Sequence, residues 1–115
     1  MTKLLIVRHG QSEWNALGRW QGQADPPLTD VGKKQALKAT KKLGLFDSIV
    51  SSPLQRAKNT AVIISEITGI GPVATEDGLM ERDAGPWQGL TRSEIEKGWP
   101  GFLDSGQRPD GYETN

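Results

Sequence analysis

The chain has 115 residues, enough for a single domain over 1–115, with 14 basic and 14 acidic side chains, one histidine and no cysteine. Cancelling charge leaves no global field to draw nucleic acid or a membrane surface, and the missing cysteines exclude disulfides, thiolate nucleophiles and cysteine-based zinc sites. With 35% hydrophobic residues, no apolar run of membrane-spanning length and no signal-peptide pattern, the expected protein is soluble and cytoplasmic, without nucleic-acid or membrane partners.

Leu4-Leu5-Ile6-Val7 reads as a strand buried on both faces, as in a parallel sheet. It breaks directly into Arg8, His9 and Gly10. In open α/β sheets ligands sit beyond the carboxyl ends of strands, which is where Arg8 and His9 fall. A neutral imidazole is a good nucleophile near pH 7, and a guanidinium offers a planar fork of donors that matches phosphate oxygens. Gly10 lets the backbone come close to a ligand. Ser12 and Asn15 add neutral donors. Arg-His-Gly alone equally describes a strand that ends on the surface; the longer string 8–15 favours covalent phosphoryl transfer.

Residues 10–28 then read as a long loop rich in Gly, Gln and Asn, whose Trp14 and Trp20 argue for ordered packing. Thr29 is the expected N-cap of a helix with Asp30 in its first turn, a small-residue face at Ala36, Ala39, Thr40 and Leu43, and Gly44 beyond its end. Its lysines 33, 34, 38, 41 and 42 have no interleaved aromatics and read as a solvated face. Ser48–Ser51 reads as a second strand. Ser52 and Pro53 are the expected N-cap and first residue of a second helix, with a stripe at Ala57, Thr60, Ala61, Ile64 and Ile67 and closure at Gly69. Arg56 falls in its first turn, where an anion meets free backbone N–H groups as well as the guanidinium. Val73–Thr75 is a third strand. Residues 79–90 read as a glycine-punctuated loop around a buried Trp87, Thr91 and Glu94 as a capping box for a helix to about Lys97, and residues 106–113 as loop.

Residues 8–15, RHGQSEWN, resemble the RHGxSxxN signature of the histidine phosphatase superfamily, also called the phosphoglycerate mutase-like family. Three further stretches are similar to family motifs in the right order: SSPLQRAKNTA to SxLxRAxxTA, residues 79–89 to LxExxxGxWxG, and residues 108–113 to RPxGxE. The resemblance implies a three-layer α/β/α fold with a mainly parallel sheet. It implies hydrolysis of a phosphorylated small molecule, a phosphate monoester, through a phosphohistidine at His9. Arg8 and Arg56 would clamp the phosphoryl oxygens and Asn15 would add a hydrogen bond. Glu81 would be the acid–base, which requires burial to raise its pKa. Ser12, Gln21 and Gly22 are the implied substrate contacts. No metal and no organic cofactor is required.

Two other functions stay open. Family mutases resemble ERHYG where this chain has Glu81-Arg82-Asp83-Ala84-Gly85; Arg82 matches that pattern and would serve a substrate carboxylate, while the short loop from Trp99 to Gly111 favours a phosphatase. The family's pocket also uses a second histidine on a later strand, which this sequence does not offer, so a non-catalytic phosphate-ester-binding module is the second alternative. The chain thus resembles the amino-terminal portion of one family domain, incomplete at its C-terminus. In the family the remaining strand lies between the first and second. An impaired enzyme follows, with an open sheet that invites a homo-oligomer or swapped pairing.

Overall fold

The computed structural model describes residues 2–114. The first helix, α1 (Glu13–Leu17), lies where the sequence reads as loop. Ser12 caps it: the Ser12 hydroxyl accepts the Asn15 N–H at 3.1 Å, and the Asn15 side chain accepts the Ser12 N–H at 2.9 Å. Asparagine at the third helical position closes this capping box in place of the usual Glu or Gln. The helix buries no residue, so no apolar stripe announces it.

α2 (Asp30–Thr40) starts on Thr29 as the sequence indicates, the Thr29 hydroxyl accepting the Gly32 N–H at 3.0 Å. It buries Ala36 and Thr40 and stops four residues short of Gly44, capped by Lys41 in right-handed geometry. α3 (Gln55–Thr68) packs against α2, buries Arg56, Thr60, Ala61 and Ile64, and ends at Gly69 with φ 72°. Ser52 does not cap it; the Ser52 hydroxyl only accepts the Leu54 N–H at 3.2 Å. The first helical N–H, from Gln55, is instead accepted by the Asp25 carboxylate at 2.6 Å, and the Gln55 amide returns a bond to the Asp25 carbonyl at 3.0 Å. A side chain thirty positions away has taken over a local cap.

Two short strands, β1 (Val50–Ser51) and β2 (Ala74–Thr75), pair in parallel with Val50 opposite Ala74 and Ser51 opposite Thr75. They carry the second and third expected strands, trimmed to their paired residues. Leu4–Val7 departs from expectation. It joins no ladder, and Leu4, Leu5, Ile6 and Val7 are 80%, 47%, 91% and 39% exposed. An extended run becomes a strand only when a neighbour takes its N–H and C=O groups, and among the described residues none does.

α4 (Arg92–Gly98) carries the expected capping box. The Thr91 N–H bond holds the Glu94 carboxyl below its ordinary range, helped by the Thr91 hydroxyl. α5 (Phe102–Ser105), a single turn, was not visible in the sequence. These last helices wrap a core of Ala84, Trp87 and Ile95, each fully buried, with Trp20, Leu90, Trp99, Phe102, Leu103 and Tyr112 packed around it. Trp87 stands edge-on to Trp20, Trp99 and Tyr112 at centroid distances of 5.5, 6.1 and 5.6 Å. Among the described residues no helix is long and apolar enough to cross a membrane.

Candidate active site

The segment carrying His9 is seated on both long helices. The Gly10 N–H donates to the Thr60 hydroxyl of α3 at 3.1 Å, and the Gln11 N–H to the Gln35 side chain of α2 at 2.8 Å. Gly10 and Gly32 lie backbone against backbone; a Cβ on Gly10 would collide with the Gly32 carbonyl, and one on Gly32 with the Gln11 carbonyl. His9 itself is oriented by a 2.6 Å bond from Nδ1 to the Gly10 carbonyl. A carbonyl only accepts, so Nδ1 carries the proton and Nε2 of the neutral ring keeps its lone pair.

Arg56 is 3% exposed. Its Nη1 donates to the Ala24 carbonyl at 2.9 Å and its Nη2 to the Gly22 carbonyl at 2.7 Å, so the guanidinium also holds the 10–28 loop in shape. Burial pushes the Arg56 pKa down from its ordinary value, while the Glu81 and Asp25 carboxylates pull it back up. Five N–H donors minus two spent on carbonyls leaves Arg56 able to take an anion as well. Gly22, with φ 55°, fits under Ala84 and Gln88 where any Cβ would clash.

Two adjoining clefts open at this point. The larger, about 410 Å³, is lined by His9, Asn15, Arg19, Trp20, Gln21 and Gly22 on one side and by Arg56, Glu81, Arg82, Arg108 and Tyr112 on the other. The smaller, about 310 Å³, is lined by His9, Ser52, Leu54, Arg56, Ala57, Leu79, Met80 and Glu81. His9, Arg56 and Glu81 therefore form the wall common to both.

Seven of the nine sequence-derived site residues line the larger cleft. Arg8 and Ser12 line neither. Arg8 follows the unpaired Leu4–Val7 run and, like His9, is exposed. Ser12 is fully buried, accepting the Asn15 N–H and donating its hydroxyl to the Gln21 side chain. It shapes the loop that presents Asn15 and Gln21. Glu81 is exposed, without the burial that its implied role calls for, and its Oε1 accepts the Arg82 N–H at 2.9 Å.

Four residues that line the cleft were missed: Arg19, Trp20, Arg108 and Tyr112. Arg19 and Trp20 precede Gln21 in the loop already singled out. Trp20 exchanges backbone bonds with Gly89 and Leu90 at 2.8 Å each, and Arg19 donates to the Gly89 carbonyl at 2.6 Å. Arg108 and Tyr112 lie in the RPxGxE-like tail, whose conformation gives no local signal of where it folds back.

The family model for the histidine phosphatase superfamily (branch 1) matches residues 4–114. A phosphoserine phosphatase 1 of Hydrogenobacter thermophilus is 43% identical over 102 residues, covering 87% of this chain and 48% of that protein. A 2,3-bisphosphoglycerate-dependent phosphoglycerate mutase of Bartonella quintana is 42% identical, covering 84% of this chain and 50% of its own. The solved structure of a mycobacterial glucosyl-3-phosphoglycerate phosphatase with VO3 superposes with a TM-score of 0.85 at 39% identity, over 92% of this chain and 56% of that one. The chain spans about half the length of the curated relatives it matches. On a match that runs over nearly every residue, the chain belongs to the histidine phosphatase superfamily.

Proposed function

We propose that this chain carries the nucleophile and phosphoryl-binding residues of a phosphate-monoester hydrolase. The observation that carries the reading is the common wall of the two clefts, where an oriented imidazole, a buried guanidinium and a carboxyl group face the same space. The Nε2 lone pair of His9 attacks phosphorus as the ester P–O bond breaks, giving phosphohistidine and an alcohol. Arg56 balances the charge on the phosphoryl oxygens, and Asn15 offers an amide N–H₂ whose companion oxygen is already taken by Ser12. Glu81 is the acid–base: it passes a proton to the leaving oxygen and recovers one from the water that hydrolyses the phosphohistidine. The substrate is a phosphorylated small molecule. Returning the phosphoryl group to a second hydroxyl is the mutase version of the same chemistry, and Arg82 in the cleft is the observation in its favour.

The test is incubation with p-nitrophenyl phosphate, with p-nitrophenol release followed and His9 phosphorylation read by mass spectrometry in alkali. Labelling of His9 and slow p-nitrophenol release are expected, as suits a pocket with one histidine, and both vanish in His9→Ala. Turnover that survives His9→Ala overturns the assignment. Phosphate binding that depends on Arg56 without any label on His9 leaves the binding module.

A further inference from the structure

His9 and Arg56 come from distant segments of the chain, and one buried hydroxyl joins them. Thr60 lies one turn beyond Arg56 in α3 and is 4% exposed. Its hydroxyl donates to the Arg56 carbonyl at 2.7 Å and accepts the Gly10 N–H at 3.1 Å. The helical bond settles the rotamer and spends the hydroxyl's one proton, which leaves the lone pairs for Gly10. Thr40 makes the same helical bond in α2, to the Ala36 carbonyl at 2.9 Å, but among the described residues its hydroxyl accepts no N–H. The Gly10 N–H needs the partner it has, because Gly10 is buried against the backbone of Gly32. The Gly10 carbonyl in turn bonds His9 Nδ1. The imidazole is thereby tied, through Gly10 and Thr60, to the helical turn that carries Arg56. Thr60 lines neither cleft, so its part is indirect.

From this we infer that Thr60 is a positioning residue, which sets the aim of His9 Nε2 at the phosphoryl group held by Arg56. The inference rests on reading His9 as the nucleophile and Arg56 as its phosphoryl-binding partner. The two tasks separate at Thr60. Without that hydroxyl Arg56 keeps its burial and both of its loop carbonyls, so an anion is still held. His9 is less secure, since its side chain is exposed and the next anchor of its segment, Gln11 on Gln35, is exposed as well. Attack in line with the leaving oxygen tolerates little error, and a displacement of about 1 Å costs about a hundredfold in rate. Loss of the hydroxyl therefore falls on the step that forms the N–P bond and spares phosphate affinity.

The test compares the full 115-residue chain with Thr60→Val, which keeps the shape without the hydroxyl, Thr60→Ser, which keeps the hydroxyl, and Thr40→Val as a control. Saturating p-nitrophenyl phosphate labels His9, with the rate read by quenched flow and mass spectrometry, and calorimetry gives the affinity for inorganic phosphate. Thr60→Val is expected to slow labelling about ten- to a hundredfold while binding phosphate as the wild type does. Thr60→Ser should restore the rate, and Thr40→Val should change neither quantity. Hydrogen exchange of the Gly10 amide adds a reading on the unaltered chain, where it is expected to be slow. An unprotected Gly10 amide in the wild type overturns the proposal even if Thr60→Val fails to fold. So does wild-type labelling by Thr60→Val, a Thr60→Ser chain as slow as Thr60→Val, or equal slowing in Thr40→Val. A fall in phosphate affinity as large as the fall in rate overturns it too. A wild type that binds phosphate but takes no label removes His9 as nucleophile, and the positioning role with it.

Discussion

At the scale of single residues, Arg56 explains most about how the pocket is made. It stands in the first turn of α3 and hydrogen-bonds two carbonyls of the 10–28 loop. Its planar fork reaches Gly22 and Ala24 at once and still presents donors to a ligand. Lysine keeps the charge but has no fork, so Arg56→Lys leaves one carbonyl short of a partner at a buried position. A buried polar group without a partner costs about 1–3 kcal/mol, and the expected loss of stability lies in that range by urea unfolding. Phosphate affinity should fall further than stability, because the loop carrying Gln21 and Gly22 relaxes as well. Unchanged stability with unchanged phosphate binding would remove Arg56 from both roles. Arg56 and His9 were singled out in the sequence because each lies in a recognisable string, and Arg56 also follows closely on β1. The shaping role of Arg56 was not, since its carbonyl partners lie 32 and 34 positions away. Arg108 and Tyr112 were hidden for the same reason: their importance depends on where the tail folds back.

At the scale of elements, the signals that were read correctly are those whose physics is local. Thr29, the Thr91–Glu94 box and Gly69 each act within four residues of the helix end they mark. Ser52-Pro53 misled because Asp25, from a distant loop, meets the Gln55 N–H instead. Leu4–Val7 misled because an apolar run specifies the desire for burial and not the presence of a ladder partner. The crossing of Gly10 and Gly32 is a further long-range feature. Helix propensity alone favours Gly32→Ala within α2 by about 1 kcal/mol. The new methyl group, however, would meet the Gln11 backbone, which has no rotamer by which to yield. Overpacking of that kind costs about 1–3 kcal/mol. Net destabilisation is therefore expected from Gly32→Ala, together with weaker phosphate binding, because the displaced segment carries His9. A more stable variant with normal binding would show that the crossing is loose.

At the scale of the whole molecule, the chain is more extended than its length requires. Its radius of gyration is 16.0 Å, against about 13 Å for a compact domain of this size. The apolar groups are divided, and the Leu4–Val7 run lies exposed. Ala84, Trp87 and Ile95 form one core with their aromatic neighbours, and the residues buried between α2 and α3 are not part of it. The 10–28 segment packs on the first core through Trp20 and meets α3 through polar contacts. Arg56 and Gln55 bond to it from one side, and Gln88, whose Oε1 accepts the Gln23 and Ala84 N–H groups at 2.9 and 3.2 Å, from the other. Regions joined by hydrogen bonds and not by shared apolar burial open separately. Trp87→Ala empties the centre of one core and should cost it about 3–5 kcal/mol. Trp87→Phe should cost less, because among the described residues the indole N–H has no hydrogen-bond partner to lose. The consequence for Trp87→Ala is a split transition. Tryptophan fluorescence should report early loss of this core through Trp20 and Trp99, with Trp14 as the third remaining emitter. Amide exchange at Ala61 and Ile64 in α3 should stay slow until higher denaturant. Loss of both signals at one denaturant concentration would show that the polar bridge couples the halves into a single cooperative unit. The cleft, which draws His9 and Arg56 from one half and Arg82, Arg108 and Tyr112 from the other, would then be held as one piece before any ligand arrives.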